Sequence, residues 1–187
     1  MKKIAFIDIE TTGLNFIKHE PIQISGVLVD DSNRNIVEEI NIFIESKNEN
    51  SPGAQKVNGY YKGKWKDLGY KDLDNKKNAE KIFKFLSQAD TVISHNSAFD
   101  RPFLTKFMEE NGYDAYKLPK YFMDDCTIAW IIKHKTNGKL LKKISLDYLI
   151  ERLNVSKNRN KQHDALEDSR LLSKVFYEMI DKIHIKL

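Results

Sequence analysis

Three stretches near the start of the chain carry apolar residues in patterns typical of β-strands. In Lys3–Glu10 the apolar positions fall on both parities, as expected of a strand buried on both faces. Two further apolar runs, Pro21–Val29 and Ile36–Ile44, also predict strands, and a short polar stretch at residues 30–35 separates them. The pattern therefore predicts that the fold opens with three antiparallel strands in sequence.

The rest of the chain predicts helices that alternate with short strands. Apolar residues at helical spacing occupy Ala79–Leu86, and an apolar strand, Thr91–Ser94, follows. The later elements are a helix through Phe103 and Met108 that ends near Asn111, a strand and helix within Phe122–Ile132, a helix at Ser145–Leu153 and a helix from about Ala165 to Ile183. A helix between strands implies a crossover to a parallel neighbour. We therefore expect an α/β mixed sheet flanked by helices, in one domain over residues 1–187.

Residues 47–78 lack periodicity and are rich in Lys, Asn, Gly and aromatic residues, which predicts a long loop or a loop with short helices. Within it, Val57–Trp65 interleaves aromatic side chains with lysines. Such a surface suits contact with stacked bases and phosphates. The alternative is that the aromatic residues anchor the loop to the core.

Composition restricts the class of protein. The 187 residues are 41% apolar and 31% charged with no long uncharged apolar run, so we expect a soluble, cytoplasmic protein without a membrane partner. The single cysteine, Cys126, excludes an intramolecular disulfide and a thiolate cluster, which favours a hard cation held by oxygen or imidazole ligands. The net charge of +4 points only weakly to a polyanionic partner, because a lysine-, asparagine- and isoleucine-rich chain can also reflect codon bias.

Two acids, Asp8 and Glu10, lie two positions apart in the opening strand, so their side chains project to the same face. Adjacent carboxylates repel each other, and burying them near a core strand is unfavourable unless a cation neutralises them. The pair is therefore a candidate metal site. The alternative is a shorter strand with both acids solvated at its end.

A third acid, Asp100, stands between a predicted strand and the helix that follows, where ligands gather in such sheets. Asn96 or Ser97 can cap this helix, and Pro102 is tolerated only near its first turn. Asp100 is thus placed at the helix start. A role in stabilising the helix dipole is the alternative.

The last predicted helix opens with a further acidic group. Asp164 and Asp168 share one helical face by their four-residue spacing, and His163 lies just before or within the first turn. Alone, this is also the pattern of an ordinary helix start with a surface histidine.

The order of these groups adds information that none carries alone. Asp-x-Glu-Thr-Thr-Gly begins at Asp8, His-Asn-x-x-Phe-Asp begins at His95, and His-x-Ala-Leu-x-Asp begins at His163. Together they resemble the DEDDh family of 3′-to-5′ exonucleases, which includes the epsilon proofreading subunit of bacterial replicative polymerase and ribonuclease T. The resemblance runs from Ile4 to about Phe176 and implies a ribonuclease H-like fold with three antiparallel strands followed by parallel ones.

The resemblance also implies a site. Two divalent cations, Mg²⁺ or Mn²⁺, would be held by four carboxylates, those of Asp8, Glu10, Asp100 and Asp168. His163 would be the base that takes a proton from the attacking water, so activity should fall as the pH drops through the pKa of its imidazole, about 6.5 for an unperturbed group. The implied substrate contacts are Thr11, Thr12 and Leu14 at the terminal nucleotide, and Asn96 and Phe99 near the bases.

Four further residues are compared with the family pattern. Asp124 matches a recurrent aspartate that we interpret as structural, with Asp125 the weaker match. Asn58 follows Val57 where many members have histidine, and Asp164 replaces a commonly basic residue.

The resemblance implies release of nucleoside 5′-monophosphates from a nucleic acid 3′ end. DNA, as single strands or during proofreading, is the favoured substrate, and a separate polymerase subunit is a possible partner. The alternatives are RNA 3′-end trimming, a ribonuclease H-type endonuclease, and a non-catalytic nucleic-acid-binding domain on the same fold.

Overall fold

The fold is built on one five-stranded mixed sheet with the strand order β3-β2-β1-β4-β5. A computed structural model describes residues 2–156 and 163–182. The strands are β1 (Lys3–Thr11), β2 (Pro21–Asp30), β3 (Asn35–Phe43), β4 (Thr91–Ser94) and β5 (Tyr121–Asp124). The first three are antiparallel neighbours, whereas β4 is parallel to β1 and β5 is parallel to β4. The predicted meander and the predicted α/β class are confirmed.

Helices cover both faces of this sheet. They are α1 (Pro52–Asn58), α2 (Lys64–Asp67), α3 (Asn75–Leu86), α4 (Ser97–Glu110), α5 (Asp125–Lys135), α6 (Leu146–Arg152) and α7 (Ala165–Lys182), with a short 3-10 helix at Ala115–Lys117. Among the described residues, no helix is both long and apolar enough to span a lipid bilayer.

Alternating strand positions separate the two cores. Phe6 of β1 and Ile93 of β4 pack with α5, α6 and α7. Ala5 and Ile7 of β1 pack on the opposite face with α3 and α4. Since every second side chain of a strand shares a face, the even-numbered positions that follow Phe6 also point towards α7. The sheet thereby directs the acids at the end of β1 to the last helix.

The start of one helix and the place of a proline in another differ from the sequence-based prediction. α3 begins at Asn75 instead of Ala79, because the Asp74 carboxylate accepts hydrogen bonds from the Lys76 and Lys77 amides at 3.0 and 3.1 Å and caps it. In α4, Pro102 is the sixth helical residue, beyond the first turn where it was expected. A proline there removes one intrahelical hydrogen bond, and α4 continues through it.

The segment between β3 and α3 is tied to the sheet by aromatic residues. Tyr60 and Trp65 are buried, and the Trp65 indole N–H donates to the Ile22 carbonyl at 3.0 Å. For Tyr60 and Trp65, the alternative prediction that the aromatic residues anchor the loop to the core is therefore confirmed. Tyr61 and Tyr70 of the same segment remain 46% and 42% exposed, so they are available for contacts with other molecules.

Candidate active site

The C-terminal end of β1 carries the first two acids of the site. Asp8 pairs with Ser25 and Glu10 with Gln23 in the β1–β2 register, and the register shifts immediately after Glu10. Glu10 is buried, whereas Asp8 is partly exposed. Because Asp8 and Glu10 lie two positions apart in the observed strand β1, their side chains share a face, as predicted.

The start of α7 brings Asp168 to the same face of the sheet. The Asp164 carboxylate accepts hydrogen bonds from the backbone amides of Leu166 and Glu167 at 3.1 and 3.0 Å, which caps the helix. Gln23 of β2 donates to the same carboxylate at 3.1 Å. Asp164, a departure from the family pattern, is therefore the residue that caps α7 and joins it to the sheet.

His163 lies between α1 and α7. Its backbone amide donates to the Val57 carbonyl at 3.1 Å, and its Nδ1 is 3.4 Å from Oδ2 of the buried Asp168. One ligand atom each from Glu10, His163 and Asp168 lies within 4.8 Å of the others. Segments more than 150 residues apart in the chain thus meet in one group able to hold a metal ion.

Asp100, in the first turn of α4, is the most deeply buried acid of the site, at 2% exposure. The pKa of its carboxyl is raised to about 8, chiefly by burial and also by the charges of Glu10 and Asp124, while the Ser94 hydroxyl acts in the opposite direction. Its Oδ2 has no hydrogen-bond partner within the described residues. A buried carboxylate oxygen without a donor, beside another acid, fits a site that binds a divalent cation through oxygen ligands.

Four of these groups line one cavity, and Asp168 lies behind His163 outside its lining. We call this cavity the acidic cleft. Its volume is about 460 Å³, and Asp8, Glu10, Asp100 and His163 form one wall. The predicted substrate contacts Thr11, Leu14 and Phe99 also line it, and the Leu14 side chain is 85% exposed. A large apolar side chain exposed at the mouth of a cleft is available to contact a ligand.

Sequence reasoning missed the wall that α1 contributes. It comprises Ser51, Gly53, Ala54, Val57 and Asn58. The Asn58 amide donates to the Thr11 carbonyl at 2.9 Å, and the Ser51 amide donates to the Thr12 carbonyl at 2.8 Å, so α1 is fixed to the end of β1. The signal was present in the sequence, because Ser51-Pro52 is a helix N-cap followed by an N1 proline.

Two predicted substrate contacts lie outside this lining. The Thr12 hydroxyl is 3.2 Å from His19 Nδ1 and accepts a hydrogen bond from the Glu20 amide. Asn96 is exposed, and its backbone amide donates to the Asp124 carboxylate at 3.0 Å. Asp124 also accepts from the Cys126 amide at 3.0 Å, which is consistent with its predicted structural role. The substrate contacts of Thr12 and Asn96 stay predictions.

A second polar cluster adjoins the acidic cleft. His95 lines the cleft and its Nδ1 is 2.8 Å from the fully buried carboxylate of Asp125. The Cys126 sulfur lies 3.6 and 3.5 Å from the two ring nitrogens. Because it is equally far from both, the sulfur packs against the ring and does not lie on the lone-pair axis of either nitrogen. Burial and the adjacent Asp125 and Asp124 raise the pKa of this thiol to about 12, so it is protonated at neutral pH.

Replacement of Asp100 by asparagine is expected to stabilise the protein without metal. A carboxyl whose pKa rises from about 3.9 when unfolded to about 8 when folded makes the free energy of unfolding decrease as the pH increases between those values. At about pH 8 in a chelator, Asp100→Asn should therefore be more stable by on the order of a few kcal/mol. Urea unfolding across this pH range measures the difference. Parallel pH dependences for the two proteins would contradict the expectation.

Comparison with known proteins agrees with this geometry. The family model RNase_T, described as exonuclease, matches residues 5–176. A PolC-type DNA polymerase III of Thermotoga petrophila is 29% identical over 185 residues, which cover 96% of this chain and 12% of that protein. The DNA polymerase III subunit epsilon of Buchnera aphidicola is 27% identical, with 95% of this chain and 73% of that protein covered.

Solved structures show the same fold at lower identity. Exonuclease I from Methylocaldum szegediense superposes with a TM-score of 0.81 at 16% identity, over 100% of this chain and 42% of that one. Escherichia coli exonuclease I in complex with a dT13 oligonucleotide gives a TM-score of 0.73 at 15% identity, over 98% and 41%. The chain thus spans about an eighth of its PolC-type relative and less than half of these exonuclease chains.

Proposed function

This chain belongs to the RNase_T exonuclease family, and on that premise we propose that it hydrolyses phosphodiester bonds at the 3′ end of a nucleic acid and releases nucleoside 5′-monophosphates. The observation that carries the proposal is the convergence on the acidic cleft of Asp8 and Glu10 from β1, Asp100 from α4, and His163 beside Asp168. Burying acids together is unfavourable without a compensating charge, so a site of this kind supports cation binding.

The four carboxylates are the proposed metal ligands. An all-oxygen set suits Mg²⁺ or Mn²⁺, and the orphaned Oδ2 of Asp100 supports this assignment. Two such ions, when bound, supply charge neutralisation for the attacking and leaving oxygens. A carboxylate oxygen of Glu10, a carboxylate oxygen of Asp168 and a ring nitrogen of His163 all lie within 4.8 Å of one another. Glu10 and Asp168 are therefore the pair of acids best placed to share one ion.

His163 is the proposed general base. Its side chain is 35% exposed and lines the acidic cleft, so it reaches both solvent and substrate. The hydrogen bond from its backbone amide to Val57 fixes its position. A neutral imidazole there can accept the proton of the attacking water.

DNA is the proposed polymer and single-stranded 3′ ends the proposed form. Support comes from relatives named as a PolC-type DNA polymerase III and a DNA polymerase III subunit epsilon, and from a fold shared with exonuclease I bound to a dT13 oligonucleotide. A polymerase subunit is the corresponding candidate partner. RNA 3′-end trimming and non-catalytic binding are the rival functions.

The test compares matched DNA and RNA oligomers carrying a 5′ label, each with a single-stranded or a paired 3′ end. With Mg²⁺ or Mn²⁺ we expect products shortened one nucleotide at a time, fastest on single-stranded DNA, and complete inhibition by a chelator. Chromatography of the released material should show 5′-monophosphates. A circular single strand should resist digestion, because it has no end.

Each rival predicts a different result. Cleavage of the circle would indicate an endonuclease, and faster shortening of RNA would favour end trimming. Tight binding without cleavage under every metal condition would overturn the proposal in favour of a binding domain.

A further inference from the structure

A second cavity lies beside the acidic cleft, and we propose that it binds the nucleotide on the 5′ side of the scissile phosphate. We call it the aromatic groove; its volume is about 490 Å³, and Phe43, Lys64, Trp65, Leu68 and Tyr70 form the side away from the acids. The proposal rests on the proposed exonuclease function. In it, the groove contacts the part of the nucleic acid that is left after the terminal nucleotide is released.

The shared wall of the two cavities is the first argument. Glu10, Asn58 and His163 line both the acidic cleft and the aromatic groove. The cavities have similar volumes, about 460 and 490 Å³, and their shared residues include the proposed metal ligand Glu10 and the proposed base His163. A phosphodiester linkage that crosses this wall therefore places one nucleotide in each cavity.

The chemistry of the groove is the second argument. The rings of Phe43 and Tyr70 lie 4.1 Å apart and those of Phe43 and Trp65 lie 4.5 Å apart, so they form one aromatic surface. Trp65 is buried beneath it, whereas Tyr70 is 42% exposed. The Tyr70 amide donates to the Trp65 carbonyl at 2.9 Å, which fixes the backbone there, and the exposed ring packs on Phe43. An exposed, fixed aromatic ring is a stacking surface for a base of any sequence.

The charge distribution agrees with a nucleotide occupant. Lys64 is the cation among the described residues that line the groove, and its Nζ lies 5.1 Å from the centre of the Trp65 ring and 3.1 Å from the Gly59 carbonyl. A base can thus stack on Tyr70 while a backbone phosphate approaches Lys64. The acids Glu10 and Asp164 on the opposite wall disfavour an anion there, so the phosphate is expected on the lysine side.

The experiment uses single-stranded DNA oligomers with an abasic residue placed second or third from the 3′ end. Tyr70→Ala should raise KM for intact oligomers about tenfold, as expected for loss of one stacked base, and Tyr70→Phe should not. An abasic second position should raise KM of the wild type by a similar factor, with no further increase from Tyr70→Ala. With the abasic residue at the third position, its effect on log KM and that of Tyr70→Ala should add. Tyr61→Ala, an exposed tyrosine of the same segment outside the groove lining, is the matched control.

A second readout concerns Lys64. Lys64→Gln should reduce the salt dependence of KM by about 0.7 in the slope of log KM against log salt, the value for one contact to a single strand. A Lys64→Gln protein that was only partly unfolded would not show a decrease of about 0.7 in this slope.

The possible outcomes distinguish failure of the groove proposal from failure of the proposed exonuclease function. No hydrolysis of any oligomer by the wild type contradicts the proposed function itself. Hydrolysis with equal KM for wild type and Tyr70→Ala overturns only the groove. If Tyr70→Ala instead weakens inhibition by a nucleoside 5′-monophosphate and leaves KM for oligomers unchanged, the groove binds product and the proposal is wrong.

Discussion

Asp8→Ala is expected to abolish nucleotide release while the protein remains folded. Asp8 lies at the end of β1 beside Glu10 and lines the acidic cleft, so its removal takes away a proposed cation ligand. Bound cations contribute several kcal/mol to stabilisation of the transition state, which corresponds to a loss of at least about 10³-fold. Because Asp8 is one of several mutually repelling acids, its removal should not lower stability.

The measurement pairs the exonuclease rate with thermal unfolding and with calorimetric titration of Mn²⁺. Glu49→Ala, which changes an exposed acid outside the cleft lining, is the matched control and should retain wild-type activity. A folded Asp8→Ala protein with full activity would refute the proposed metal site.

His163→Ala is expected to lower the rate by about 10²–10⁴-fold at neutral pH, the usual contribution of a general base. The loss should be confined to proton transfer, so Mn²⁺ binding should largely persist. Only a neutral imidazole accepts a proton, so the wild-type rate should fall as the pH decreases through the range in which histidine becomes charged. The rate of the His163→Ala variant should not show this decrease at low pH.

Rates measured between about pH 5 and pH 9 at saturating Mn²⁺ provide the comparison. His134→Ala is the control, since His134 is an exposed histidine that packs on Trp130 of α5, away from the cleft lining. A His163→Ala protein with an unchanged rate and pH profile would remove this residue from the mechanism.

Local rules predicted the parts of the site that lie within single elements. The two-residue period of β1 predicted the shared face of Asp8 and Glu10, and the apolar spacing of the last helix predicted α7. That these elements meet was implied by the family resemblance. The sequence pattern alone carries no distance between them, because tertiary contacts are not encoded by periodicity.

The parts that escaped prediction depend on contacts between distant segments. The α1 wall is held by hydrogen bonds from Asn58 and Ser51 to β1, and a polar, aperiodic segment gives no sign of such partners. The pairing of His95 with Asp125 joins residues from the ends of two neighbouring parallel strands. Tyr60 and Trp65 could be assigned either to solvent or to the core until their surroundings were known.

The hydrogen bond between the His163 amide and the Val57 carbonyl joins the proposed base to one wall of the acidic cleft. Val57 belongs to α1, which lines the acidic cleft, while the residue after His163 caps α7. Any outward displacement of α1 that widened the entrance would pull on the proposed base at the same moment. The position of the proposed base therefore depends on the position of α1.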